Sequence, residues 1–345
     1  MSGNKLKHSF RSHRGGSVRC VFLLALLLLL SACGAQTPAE LGFLAMDTYV
    51  ELKAYGDNRE KFLSLANEET VRLEALCSAH SEKSSLYRLN SGESVRDAEL
   101  DELIARAIAV SRETQGAFDP TLLSLSRLWG FGGGGAATVP DEEDISLALE
   151  SAGYGKICFS PSGEPELNGV QIDLGGIAKG YAADRFAALA RENGVESAFG
   201  SFGGMVCAVG TKPGGAKWKV ALRDPLSDGF AAVIQVESVC VSTSGAYERY
   251  FTHDGKFYHH ILDPKTGHPA ESDLLSATVV DPSGIRADAL STALFVMGEE
   301  DALEFCREHG VCAILMTRDK RMVFVGGIEP VKDSVDEAYS PVFEK

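Results

Sequence analysis

The sequence predicts an α+β protein, on three observations. Segments with two-residue alternation and segments with helical spacing are intermixed without regular β-α-β order. Short apolar strand-like runs crowd the stretch 197–325, separated by glycine-rich turns. Hydrophobic residues make up 45% of 345 positions, enough for one large domain or two intimate lobes. No internal repeat is present.

The chain begins with a basic stretch, Lys5, Lys7, Arg11, Arg14 and Arg19, with no acidic residue before Cys33. An unbroken apolar run over 21–30 follows, then Leu30-Ser31-Ala32-Cys33. This order describes a secretory signal over residues 1–32. The run is too short for a spanning helix, which needs about 20 apolar residues. Leu-Ser-Ala-Cys also resembles a bacterial lipobox, with Cys33 the acylated residue. The expectation is an exported protein, lipid-anchored to the bacterial cell membrane on its periplasmic or outer face. The alternative is an ordinary cleaved signal with Cys33 incidental. Residues 33–42 read as a tether and 43–345 as the folded domain.

Removal of the signal, with five basic and no acidic side chains, takes the formal net charge from −15 to −20. So acidic a body repels nucleic acid, whose binding depends on Lys and Arg neutralising phosphates. It also lacks an electrostatic grip on anionic lipid, leaving the anchoring to the acyl chain. The six cysteines other than Cys20 and Cys33 are scattered with no Cys-x-x-Cys pair, which argues against zinc. Several lie in apolar strand-like runs, as buried free thiols do.

After the tether, 44–55 alternates and is rich in β-branched and aromatic residues, a strand. Phe62, Leu65, Ala66, Val71, Leu73 and Leu76 keep an apolar stripe along a helix over 59–77. The stretch 84–90 is expected to be irregular, and 97–114 a second amphipathic helix. A turn at Ala117-Phe118-Asp119-Pro120 leads to Leu128-Trp129-Gly130-Phe131. The glycine-rich run 132–139 reads as a surface loop, because it lacks the Lys-Ser/Thr ending of a phosphate-binding P-loop. A capped helix over 141–152, a strand over 170–174 and a helix over 178–192 come next. Strands follow at 197–209, 218–223, 231–236 and 239–242, then a hairpin over 248–261 turning at His253-Asp254-Gly255. A strand at 277–280, helices over 287–297 and 299–309, and a hairpin of 312–317 with 322–325 complete the chain.

Two motifs concentrate chemistry. Asp173-Leu174-Gly175-Gly176-Ile177-Ala178-Lys179 puts a carboxylate at a strand end, then a glycine turn, then the first turn of a helix. Glycines let backbone approach a ligand, and free N–H groups at a helix start favour phosphate. Lys179 opposes the helix dipole there, and an anionic ligand accounts for it better than solvent does. A plain strand–helix turn with an exposed lysine is the bland alternative. In the second motif, Asp288 and Thr292 are four apart and share one helix face, with Ser291 beside them. A carboxylate and a hydroxyl are hard oxygen ligands suited to Mg²⁺. Taken alone, Asp288 could equally be a helix cap. His259 and His260 point to opposite faces of a strand, so at most one serves a given centre.

These residues, with Phe118-Asp119-Pro120-Thr121, Ser242-Thr243-Ser244-Gly245, Tyr247-Glu248-Arg249-Tyr250 and the stretch 259–267, resemble the ApbE-type FAD:protein FMN transferases in order and spacing. The resemblance spans roughly 45–325. It implies a T-fold-like α+β architecture with mixed, mainly antiparallel sheets, FAD as substrate, Mg²⁺ as cofactor, and attachment of FMN to a Thr or Ser of an exported acceptor flavoprotein. Subunits of membrane redox pumps are the acceptors it suggests. It places Met46 and His80 against the flavin or adenine, and Trp129, Gly130 and Phe131 along the FAD cleft. Asp173 and Lys179 would hold the cofactor, with Leu262 touching it. The metal would be held by the Gly176 carbonyl, Asp288 and Thr292, with Ser291 an outer contributor. His260 would accept the acceptor's proton. The sequence departs from the family's common pattern at Asp47, where glycine is usual, at His80, where an aromatic residue is frequent, and at Phe202-Gly203-Gly204-Met205 in place of Leu-Gly-Gly-Asn. Two further readings stay open: an FAD pyrophosphatase giving FMN and AMP, and a non-catalytic FAD-binding lipoprotein.

Overall fold

Among the described residues nine strands form the central sheet, in the order β1-β2-β5-β6-β9-β12-β13-β14-β15. The computed structural model describes residues 37–132 and 137–344. The signal segment, the lipobox Cys33 and positions 133–136 of the glycine-rich loop lie outside the described residues. Strands β1 (Ala39–Ala45) and β2 (Thr48–Ala54) make an edge hairpin. β5 (Ala198–Phe202), β6 (Met205–Val209), β9 (Cys240–Gly245), β12 (Leu274–Asp281), β13 (Cys312–Thr317) and β14 (Arg321–Val325) continue it antiparallel. β15 (Ser340–Glu344) closes the far edge in parallel.

Strict alternation along these strands divides the core into two layers, because successive side chains leave opposite faces. Cys207, Cys240, Ala313, Leu315, Val323 and Val325 face the helices. Their neighbours Ala208, Val241, Ile314, Met316, Met322 and Phe324 face the hairpin β7 (Trp218–Arg223) and β8 (Phe230–Val236), which packs Trp218, Val220, Leu222 and Ile234 over that side. The helical face carries α1 (Arg59–Cys77), α3 (Ala98–Glu113), α6 (Ala178–Glu192), α7 (Gly284–Met297) and α8 (Glu299–His309). Helix α7 is apolar nearly all round, which fits a helix enclosed between sheet and other helices rather than one on the surface. A smaller cluster of Leu125, Trp129, Ile145 and Leu262 ties α4 (Leu123–Leu128) and α5 (Glu142–Glu150) to the chain after β11 (Lys256–His259). β11 pairs with β10 (Tyr250–His253) in a separate hairpin, and β3 (Cys158–Phe159) with β4 (Pro165–Glu166) in another.

Five sequence expectations are corrected. The strand expected over 44–55 is the β1–β2 hairpin, turning at Met46-Asp47, and β1 starts at Ala39 inside the stretch read as tether. The strand expected over 197–209 is β5 and β6 around Gly203-Gly204. Residues Ser85–Asn90 form a helix, α2, capped by the Ser84 hydroxyl accepting from the Tyr87 N–H. The stretch 170–174 joins no sheet; it makes one bridge, Leu122 to Gln171, and is pinned by the Asn90 amide, which donates to the Ile172 carbonyl at 2.8 Å and accepts its N–H at 2.7 Å. β15 was not foreseen, because its partner pairing is set by distant β14. The expected buried free thiols are Cys77, Cys207, Cys240 and Cys306, whereas Cys158 is exposed and Cys312 half-buried.

Candidate functional site

The floor of the site is the crossing of α6 and α7. Their closest approach is Gly180 to Gly284: a Cβ on Gly180 would lie 2.2 Å from the Gly284 carbonyl oxygen, and one on Gly284 2.2 Å from the Gly180 oxygen. Only glycine at both positions permits this contact. The approach brings the Gly180 N–H to Asp288 Oδ2 at 2.9 Å, while the Ser242 hydroxyl donates to Oδ1 at 3.1 Å. Asp288 is therefore not the cap of α7. Ser283 caps it from its own chain, and Asp184 of α6 accepts the Gly284 N–H at 2.5 Å and the Ile285 N–H at 3.2 Å.

Asp288 is only 5% exposed, and burial raises its carboxyl above the usual range; the Lys179 charge, the Gly180 N–H and the Ser242 hydroxyl oppose that shift. Among the described residues no cation forms a direct ion pair with it. A buried carboxylate with two neutral donors and no counter-charge is a costly arrangement that a bound cation would relieve. Thr292, one turn on, shares the cleft wall, and its hydroxyl lies 3.1 Å from Ser244 Oγ. With Gly176 in the same lining, these hard oxygens fit Mg²⁺, which takes few protein ligands and fills the rest with phosphate and water oxygens. No cluster of three His, Cys, Asp or Glu side chains suited to a softer metal occurs among the described residues.

The Asp173 to Lys179 segment arches over this floor. The Asp173 N–H donates to the Pro120 carbonyl at 2.7 Å, and its Oδ1 accepts the Gly175 N–H at 2.8 Å, which holds the glycine turn. Phe118 packs against Gly176, where a Cβ would meet its ring at 2.8 Å. Lys179 Nζ donates to the Gly175 carbonyl at 3.0 Å and is half-buried over the cleft, so its charge is held near Asp288 without being neutralised by it.

Walls rise on three sides of a cleft of about 740 Å³. Met46 and Asp47 form one lip. Both have left-handed backbone, φ 53° and 58°, the conformation a tight two-residue hairpin turn demands and glycine adopts most easily. His80 forms the second lip, its ring against Gly132. Phe131, His260 and Leu262 make the third wall. His260 bonds through Nδ1 to the Arg249 carbonyl at 3.2 Å. Surrounding protein and the nearby Arg249 charge push its pKa down to about 3, so the ring is neutral at physiological pH, and with Nδ1–H on the carbonyl its Nε2 carries the free lone pair. His259 points the other way, buried against Phe295 and bonded to the Ala270 carbonyl, as strand alternation requires.

Three expected residues fall outside the cleft. Trp129 is fully buried beneath it, donating Nε1 to the Gly267 carbonyl at 2.8 Å, and Gly130 is a turn with φ 77°. Their part is to carry Phe131 into place. Ser291 is also fully buried, bonded to Ser244, Ser242 and the Asp288 carbonyl, so it braces α7 against β9 behind the cleft. Other lining residues had no assigned role in the sequence reading. Ala117, Phe118 and Asp119 line the cleft, as do Ser242, Ser244 and Glu248. Glu248 opens to the cleft yet is walled by protein on its other sides, which raises its carboxyl. The quoted motifs at 118–121, 242–245 and 247–250 contained all but Ala117, but spacing alone does not say which side chain points inward.

Known proteins are similar to this chain in sequence and fold. The ApbE family's sequence profile matches residues 46–316. The chain belongs to the ApbE family. A FAD:protein FMN transferase of Treponema pallidum is 34% identical, covering 89% of this chain and 92% of its own length. One from Klebsiella pneumoniae is 30% identical over 86% and 91% respectively. Among solved structures, the ApbE protein of Thermotoga maritima superposes with TM-score 0.78 at 36% identity, covering 86% of this chain and 97% of its own. The apo flavinyl transferase ApbE of Pseudomonas stutzeri gives 0.75 at 31% identity. The α+β ApbE architecture expected from the sequence is thus the one observed, and the ApbE profile begins at Met46, on the lip of the cleft.

Proposed function

We propose that this ApbE-family chain is an Mg²⁺-dependent FAD:protein FMN transferase that attaches FMN through a phosphoester bond to a Thr or Ser of an exported acceptor flavoprotein and releases AMP. The observation that carries the reading is the buried, unpaired Asp288 carboxylate set one helical turn from Thr292, with Lys179 and a neutral His260 in the same cleft. The names of the Treponema and Klebsiella relatives support flavin transfer to protein.

In this reading Asp288, Thr292 and the Gly176 carbonyl hold a divalent cation, which supplies charge neutralisation on the pyrophosphate. Lys179 orients the same phosphates through its ammonium group, the Ala178 and Gly180 N–H groups being taken by the Leu174 carbonyl and Asp288. Met46, His80 and Phe131 flank the aromatic parts of FAD, with Asp173 bonding a polar edge. The acceptor hydroxyl attacks the phosphorus on the riboflavin side, forming its O–P bond as the bond to the bridging oxygen breaks; AMP carries away that oxygen. His260 Nε2 takes the hydroxyl proton. The N-terminal sequence supports action at a membrane surface, with the protein exported and held by a lipid on Cys33. A Cys33→Ser variant found in the soluble fraction without acyl mass is the expected result.

The activity test incubates the soluble body with FAD, Mg²⁺ and a candidate exported flavoprotein, then weighs the acceptor and assays AMP. FMN mass on the acceptor with matching AMP is expected. AMP with free FMN and an unmodified acceptor would mark a pyrophosphatase, and intact FAD a binding protein.

A further inference from the structure

The pairing of β6 with β9 sets two cysteines face to face on the side of the sheet that carries the site. Cys207 stands opposite Cys240 in the antiparallel register, and both are 2% exposed among the residues that face the helices. Two backbone bonds fix the phase of this ladder. The Ala208 N–H donates to the Val239 carbonyl at 2.9 Å, and the Thr243 N–H to the Gly204 carbonyl at 3.0 Å. Bonded and non-bonded pairs alternate along an antiparallel ladder, so with 208–239 and 204–243 bonded, 207–240 is a non-bonded pair. In such a pair the Cα atoms approach to about 4.5 Å and the side chains lie closest. A disulfide accepts Cα separations of about 4.4–6.8 Å, which brings the two sulfurs within bonding reach across the strands. The other strand cysteines have no such partner: Cys158 stands opposite Glu166 and Cys312 opposite Val280, while Cys77 and Cys306 lie on α1 and α8.

We propose that Cys207 and Cys240 are a modification site, oxidised to a cross-strand disulfide by a disulfide-bearing thiol oxidant while the chain folds after export, a step that rests on the export reading and not on the transfer chemistry. Exported compartments let such bonds form and persist. One cysteine thiolate attacks a sulfur of the oxidant's disulfide, making a mixed disulfide and releasing one oxidant thiol. The second cysteine thiolate attacks the sulfur of the first, which forms the cross-strand S–S bond and expels the other oxidant thiol. The two cysteines lose two protons and two electrons, and the oxidant's disulfide takes up both as two thiols. The exchange belongs to folding rather than to the finished protein. The adjoining Cys207 thiol and burial raise the Cys240 thiol, so its thiolate is scarce once the sheet is closed. The bond acts on the site through β9. Cys240 shares a face of that strand with Ser242, which donates to Asp288 at 3.1 Å, and with Ser244, which meets Ser291 and Thr292. A link to β6 ties down the strand that holds both hydroxyls, and it closes a long loop in the unfolded chain.

The test expresses the chain with its signal and again without residues 1–32, blocks free thiols in denaturant with N-ethylmaleimide, and takes intact and peptide masses. The masses report signal removal and thiol state in the same sample. Expected of the signal-bearing form are loss of residues 1–32, label on Cys77, Cys158, Cys306 and Cys312, and label on Cys207 and Cys240 only after reduction. The form without the signal, made in a reducing cytoplasm, should take label at all six. Cys207→Ser should leave Cys240 open to label, whereas Cys77→Ser should leave the 207–240 pair protected. Thermal unfolding of the linked protein should give a Tm about 5 °C lower with a phosphine reductant than without it. Processed protein with all six thiols labelled overturns the disulfide and leaves export standing. Unprocessed protein with all six labelled overturns the export reading and the disulfide with it. Protection at any other pair of cysteines overturns the assignment to Cys207 and Cys240. A linked protein whose Tm ignores the reductant upholds the bond and overturns its bracing of β9. FMN transfer enters none of these readouts, so the transferase reading is judged separately.

Discussion

The floor and the rim of the cleft are built on opposite principles. At the floor, Gly180, Gly284, Asp288 and Ser291 are buried, and each polar group there has a partner on another element. At the rim, Met46, Asp47, His80 and the β10–β11 hairpin keep exposed surface, hold strained turns and make few bonds beyond their own segment. A group that must bind charge in the same place each time gains from a setting that cannot relax. A group that must admit a partner gains from being open. Substitutions at the floor should therefore cost stability and chemistry together, whereas those at the rim should alter one property at a time.

The sharpest way to break this contrast is Gly180→Ala. Its methyl would lie 2.2 Å from the Gly284 oxygen and 2.8 Å from Asp288 Cβ. The two helices must part, which should cost about 3 kcal/mol of stability, at the upper end of overpacking, and lower transfer in step. Denaturant unfolding that matches wild type would show that the floor is softer than its packing indicates.

Asp288→Asn tests the floor's electrostatics next. Because burial raises the Asp288 pKa, the folded state holds that proton more tightly than the unfolded chain does. The apo protein should thus lose stability as pH rises from the ordinary carboxylate range through the raised value, and stay at its lower level above it. Added Mg²⁺ should recover the loss, seen as a rise in Tm. The Asn variant should show neither the pH-dependent loss nor the Mg²⁺ gain, and its turnover should fall by about 10²–10³, the size of losing one preorganised electrostatic group. A Tm that still responds to Mg²⁺ in this variant would move the metal elsewhere.

His260→Gln belongs to the wall between floor and rim. Loss of a general base should reduce transfer by about 10²–10⁴ while FAD affinity by fluorescence is retained. With its folded pKa depressed to about 3, His260 favours folding above the ordinary histidine range, and that contribution fades as pH falls toward about 3. A wild-type transfer profile with no acid limb from this ring at pH 6–7 is expected; an inflection near 6.5 that disappears in the Gln variant would contradict the depressed value.

The smallest effect is expected at the rim turn. Asp47→Gly places at φ 58° the residue that tolerates it best, relieving about 0.5 kcal/mol of net strain after glycine's own entropic cost. Stability by urea unfolding should rise slightly and floor chemistry should not change.

Much of this was legible in order. The helices over 59–77, 178–192 and 299–309 were readable to the residue, because each carries its own apolar stripe or terminal signals. So was the pairing of Asp288 with Thr292, since helical spacing alone puts them on one face. The hairpin turn at Met46-Asp47 was not, because neither residue is the glycine that usually announces left-handed backbone. The family resemblance places Trp129 and Gly130 in the cleft together with Phe131, but a helix end turns neighbouring side chains in different directions. The resemblance makes Ser291 an outer contributor beside Asp288 and Thr292, whereas its place on α7 faces β9.

What the sequence determined by itself was local: the periodicity of its helices and strands, the α+β mixture, and two short motifs whose residue types suit phosphate and a hard cation. Those properties depend on neighbours within a few positions, which the sequence displays directly. The tertiary structure alone decided that the two motifs form one site. Gly180 and Gly284 lie far apart in the chain, and only their contact sets the Gly180 N–H on Asp288, brings Lys179 over the same carboxylate, and leaves that carboxylate buried without a counter-charge. Its chemistry comes from desolvation, a property of the surrounding packing that no single segment of the chain contains.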